Sequence, residues 1–72
     1  MISYEKLQAL KAKYPVGTRI RLIAMHKEDF PVPSGTEGSV TGIDDFGMIH
    51  IVWDNHSTLA LDETVDEFEI KK

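Results

Sequence analysis

The chain has 72 residues, enough for one small domain and no second core. Its net charge is −4 and it lacks cysteine, which excludes disulfides and thiolate chemistry and counts against a dedicated nucleic-acid binder. No apolar run reaches the roughly 18–20 residues of a membrane span, and the N-terminal MISYEKLQALKAKY has no apolar signal-peptide centre, so a cytoplasmic protein is expected.

From Ser3 to about Lys13 the sequence predicts a helix of roughly three turns. Ser3 is a good N-cap, Glu5 sits in the first turn where the macrodipole favours an anion, and Lys11 and Lys13 sit at the opposite end. Ile2 and Leu7 have the spacing of a hydrophobic staple. Leu7, Leu10 and Tyr14 form a narrow apolar stripe, and Pro15 stops the helix. So short a helix is marginal alone in water, so it is expected to dock on the rest of the domain.

After the turn Pro15-Val16-Gly17, a first strand is predicted over Thr18–Ala24, with Ile20, Leu22 and Ala24 alternating against Arg19, Arg21 and Ile23. From Met25 to Ser34 the period breaks, and two prolines and several charges mark a long loop carrying Phe30. A second strand runs from about Thr36 to Ile43. Gly35, Gly38 and Gly42 mark places of positive φ, sharp bending or close strand approach, and Val40 is its surest core residue. Asp44-Asp45-Phe46-Gly47 supplies turn chemistry. The third strand, Met48–Trp53, puts Ile49, Ile51 and a buried Trp53 inward. Asp54-Asn55-His56 makes the next turn, where His56 is a less usual choice than glycine. A short fourth strand is expected at Thr58–Leu61, a single 3₁₀ turn at Asp62–Asp66, and a fifth strand at Glu67–Ile70 with Phe68 and Ile70 inward. Lys71 and Lys72 are expected to fray.

Five short strands, a long first loop, two tight turns and one turn before the last strand form the plan of a mainly β protein. It is a five-stranded SH3-like barrel of two orthogonal sheets, with one short N-terminal α-helix. The single domain covers 1–72, with the helix in 1–14 and the barrel in 16–70. An OB-fold, the nearest competitor, carries a helix where this chain has only Asp54-Asn55-His56. In an SH3-like barrel the first and last strands are antiparallel neighbours. Parity then turns Arg19 and Arg21 outward to meet Glu67 and Glu69. This bears on a charge split along the chain: up to Lys27 six basic residues face only Glu5, and beyond it eleven acids face Lys71 and Lys72.

The stretches Tyr14-Pro15-Val16-Gly17-Thr18-Arg19-Ile20, Pro33 to Gly38, Ile43 to Asn55 and Leu59-Ala60-Leu61 resemble a small bacterial domain family of unknown function. Its members look like SH3-like barrels and tend to occur on phages and other mobile elements. The resemblance covers most of Tyr14 to Phe68, departs at His56, and implies a fold without implying an activity.

Chemistry-bearing patterns are sparse. His26, His50, His56 and Asp54 offer one weak pair, Asp54-x-His56, with His50 pointing out of its strand, so no metal is expected. No serine lies in a nucleophile elbow, no glycine-rich phosphate loop is present, and a barrel this small fills its interior with side chains. A non-enzyme without cofactor, monomeric by default, is therefore expected. The preferred partner is another protein, held across a groove between the first loop and the second turn by Phe30, Phe46, Asp44 and Asp45. The alternative is nucleic acid, met by Lys11, Lys13, Arg19, Arg21 and Lys27 with Tyr14 and Phe30 stacking on bases.

Overall fold

A serine hydroxyl begins the ordered architecture. In the computed structural model, which describes residues 1–71, Ser3 Oγ accepts from the Lys6 backbone N–H at 3.1 Å. It thereby satisfies one of the orphan donors at the start of helix α1, Tyr4–Lys13. Tyr14 closes the helix by donating its N–H to the Leu10 carbonyl at 2.8 Å, just before Pro15. One face of α1 turns to the sheet. Leu10 and Tyr14 are buried and Leu7 is half-buried, as the stripe predicted.

The strands are β1 (Arg19–Ala24), β2 (Glu37–Ile43), β3 (Met48–Trp53), β4 (Leu61–Asp62) and β5 (Glu67–Ile70). They form one antiparallel sheet in the order β4-β3-β2-β1-β5. β1 and β5 are neighbours, with Leu22 opposite Phe68 and Arg21 opposite Glu69. No pairing joins β4 to β5 among the described residues, so the sheet is open rather than closed into two orthogonal layers. Register shifts between Val40 and Gly42 and between Leu22 and Ala24 bend the sheet without splitting it.

The fourth strand is shorter and later than Thr58–Leu61. Trp53 explains the difference: its N–H donates to the Ser57 carbonyl at 2.9 Å and its indole N–H to the Leu59 carbonyl at 2.9 Å. The segment before Leu61 thus satisfies the end of β3 and its tryptophan instead of forming a ladder. Trp53 is 1% exposed.

Strand parity supplies the core: Ile20 and Leu22 from β1, Val40 from β2, Ile49, Ile51 and Trp53 from β3, and Leu61 from β4. Met25 and Val32 join it from inside the β1–β2 loop, where no period announced them. Phe68 packs its ring on Tyr14, centroids 5.6 Å apart. Ile70, expected inward, is 40% exposed, because β5 is an edge strand and Ile70 lies at its end.

The turn Asp62–Asp66 is closed by Val65 and Asp66 N–H groups, both donating to the Asp62 carbonyl at 3.1 and 2.8 Å. Lys71 is not frayed: its N–H donates to the Arg19 carbonyl at 2.9 Å and its Nζ to Glu37 at 2.7 Å. Lys72 lies outside the described residues. His56 adopts φ 72°, a left-handed conformation that crowds a Cβ. His56→Gly is expected to raise stability by about 0.5 kcal/mol, the relief exceeding the added chain entropy. A urea midpoint that stays put or falls would show that the histidine carries compensating contacts.

Candidate partner-binding surface

Folding brings the basic first part of the chain onto the acidic remainder. Lys13 meets Glu63 at 3.2 Å, Arg21 meets Glu69 at 3.0 Å, and Lys27 meets Asp62 at 3.0 Å. Arg19 does not meet β5 as parity alone implied. Its guanidinium reaches Asp54 at 2.6 and 3.2 Å, lies 3.6 Å from Glu37, and donates to Ser39 at 2.8 Å. Glu67 stands opposite Ala24 and faces His26 at 2.8 Å. The hydrogen bond to Arg19 holds Asp54 below the usual carboxylate range, and the one from Lys71 does the same for Glu37. Of the five cations offered to phosphate, Lys11 alone has no ion pair among the described residues. Tyr14, offered for stacking, is buried and its hydroxyl donates to Glu63 at 2.8 Å.

Because Arg21 and Glu69 are half exposed, their pair is weak. Glu69→Gln is expected to cost about 0.5 kcal/mol at low salt and nothing near 1 M salt. Urea titrations at the two salt concentrations measure the difference, and an equal cost in both would mean packing rather than charge.

Asp62 is the most strongly perturbed acid. Its carboxylate accepts from the Thr64 hydroxyl at 2.6 Å and N–H at 2.9 Å and from Lys27 Nζ at 3.0 Å. These bonds, the Thr64 hydroxyl first, lower its pKa from 3.8 to about 2. A depressed folded-state pKa contributes stability that is present above pH 3.8 and lost as pH falls through about 2. Unfolding free energy should therefore drop across that window by roughly 1–2 kcal/mol after solvent screening, and by distinctly less in Asp62→Asn. Acid titration of both proteins followed by circular dichroism checks this.

The β2–β3 turn is built by Asp44. One carboxylate oxygen accepts from the Phe46 and Met48 N–H groups at 2.9 and 3.0 Å, and the other faces His50 Nε2 at 2.9 Å. Burial opposes ionisation, but hydrogen bonds from His50, Met48 and Phe46 keep its pKa lowered. Asp44 thus builds the turn that carries Phe46. Asp45 is exposed, and its carbonyl accepts the Ile2 N–H at 3.1 Å, tying the N-terminus to the turn. Gly47, at φ 82°, leaves room for Ile2: a Cβ there would lie 3.0 Å from Ile2 Cδ1.

This seating creates a cleft of about 160 Å³ between α1, the β2–β3 turn and the Asp62–Asp66 turn. Ile2 and Leu10 supply apolar wall, Lys6 and Glu63 charge, and Phe46 stands at the rim, 69% exposed. Ile2, Lys6 and Leu10 carried no local sign of this role, since only the tertiary contact with Gly47 assembles them. Of the residues expected to form a groove, Phe46 lines this cleft and Phe30 does not; the loop that carries Phe30 is joined to it through the Lys27–Asp62 pair.

Phe30 is 89% exposed, at the tip of the β1–β2 loop. Both flanks of that loop are pinned. The His26 N–H donates to Asp66 at 2.9 Å, Lys27 pairs with Asp62, Val32 is buried, and the Gly35 N–H donates to the Leu22 carbonyl at 2.7 Å.

Among the described residues no three of His, Cys, Asp and Glu converge as metal ligands, and no helix is long and apolar enough to cross a membrane. The family described as Domain of unknown function (DUF4314) matches residues 3–71. No curated protein and no solved structure matches the chain.

Proposed function

The chain belongs to the DUF4314 family, whose description assigns no activity, and from its own surface we propose a small non-enzymatic module that binds another protein. The open sheet, with β1 beside β5 and one turn before β5, is read as SH3-like in plan, and a bacterial cytoplasmic setting belongs to the same proposal. The observation that carries the reading is Phe46. It stands 69% exposed over a cleft walled by Ile2 and Leu10, on a turn that Asp44 holds rigid. Exposed aromatic surface on a preorganised turn binds at little conformational cost. The cations offered to nucleic acid are, apart from Lys11, occupied by carboxylates, which weighs against phosphate as the ligand.

Capture experiments with wild-type and Phe46→Ala bait test this. Phe46 is exposed and its side chain makes no hydrogen bond, so the variant is expected to fold normally. A discrete protein kept by wild type and lost by Phe46→Ala is the expected result. Equal retention by both baits, or retention of DNA that falls steeply with salt, would overturn the proposal.

A further inference from the structure

The same short pattern, two acids followed by phenylalanine, contains all three phenylalanines of the chain: at two loops, Glu28-Asp29-Phe30 and Asp44-Asp45-Phe46, and at the start of β5, Asp66-Glu67-Phe68. In β5 it is consumed: Asp66 accepts from the His26 and Asp62 N–H groups, Glu67 faces His26, and Phe68 packs on Tyr14. At the second loop folding consumes it. Asp44 caps the turn and faces His50, the Asp45 carbonyl holds Ile2, and Phe46 leans over a cleft. At the first loop nothing consumes it. Among the described residues Glu28 and Asp29 make no ion pair and no side-chain hydrogen bond, and Phe30 is 89% exposed. Most other carboxylates of the chain have a cation or an N–H in contact. An identical chemical pattern in one molecule thus serves as its own control.

We propose that Glu28-Asp29-Phe30-Pro31 is a docking peg that places Phe30 in an apolar pocket rimmed by lysine or arginine on a partner protein. The pinned flanks make the tip a projection rather than a loose segment. Val32 is buried three residues from Asp29, and His26 and Lys27 are tied to the Asp62–Asp66 turn. Pro31 restricts its own φ and keeps Phe30 from helical geometry, which lowers the entropy lost on insertion. Charge complementarity sets the partner. Two unpaired carboxylates beside the aromatic require cations at the pocket rim, and a net charge of −4 repels an acidic partner. Phe30 is not a wall of the Phe46 cleft, although Lys27 at the base of the peg pairs with Asp62 of that cleft, so the test treats positions 30 and 46 separately.

A photo-cross-linking phenylalanine analogue at position 30, with position 46 as a parallel site, tests the inference in cells expressing the full chain. The cross-linked protein is identified, purified and titrated with wild type, Phe30→Ala and Glu28→Gln/Asp29→Asn. Phe30→Ala is expected to weaken binding by about tenfold or more at any salt. The double carboxylate variant is expected to weaken it by about threefold near 50 mM salt, the loss vanishing near 500 mM. No adduct from position 30, an adduct whose affinity ignores Phe30→Ala, or a carboxylate variant that binds as well as wild type at low salt would each overturn the peg. An adduct that is a second copy of this chain would overturn the assigned partner. An adduct from position 46 alone leaves the cleft reading standing and removes the peg, whereas one from position 30 alone does the reverse.

Discussion

Leu10→Ala is expected to lower the unfolding free energy by about 2–4 kcal/mol. Leu10 is 5% exposed and is the one buried side chain within α1 itself. A helix of ten residues has little stability of its own, so its docking depends on that contact. Removing the side chain leaves a cavity against the β2–β3 turn, where Leu10 Cδ1 lies 3.5 Å from the position of a Gly47 Cβ. A domain of this size has only a few kcal/mol in hand, so the variant is expected to unfold at markedly lower urea. Trp53, 1% exposed, reports the transition by the red shift of its emission. A loss below about 0.5 kcal/mol would mean that the helix is not held by Leu10, and the cleft with Phe46 would lose its wall.

Gly38→Ala is expected to cost about 3 kcal/mol, at the upper end of overpacking. A Cβ at Gly38 would lie 2.6 Å from Ile51 Cγ2, 2.8 Å from the Val52 carbonyl oxygen and 3.0 Å from the Trp53 Cα. Two of those atoms are backbone of β3, so relief requires parting β2 from β3 where Gly38 pairs with Trp53. Gly42→Ala is the matched control on the same strand. Nothing lies within 4 Å of its Cβ position, and its effect is expected within about 0.5 kcal/mol of zero. Paired urea titrations decide the matter. Equal costs at the two glycines would show that strand propensity, not close approach, explains them.

The acid-acid-phenylalanine loops show where reading the chain stops being sufficient. Phe30 and Phe46 look alike in sequence, and both are in solvent. Yet Phe46 rims a cleft only because the Ile2 N–H finds the Asp45 carbonyl, a contact between residues 43 positions apart. The same holds for Arg19. Parity correctly sent it out of the core, but its choice of Asp54 over β5 depends on how the β3 turn folds back beside β2.

By itself the sequence determined the helix and its ends, the spans of β3 and β5, and the inward set Ile20, Leu22, Val40, Ile49, Ile51 and Trp53. These follow from capping, proline and a period of two, which act over a few residues and therefore leave local traces. Tertiary structure alone decided that the sheet stays open, that Met25 and Val32 enter the core from an aperiodic loop, and that Ile2 and Leu10 build a cleft under Phe46. It also decided which carboxylate each cation meets. Such outcomes depend on which chain ends loop closure brings within a few ångströms of one another, and neither periodicity nor propensity encodes a distance between remote residues.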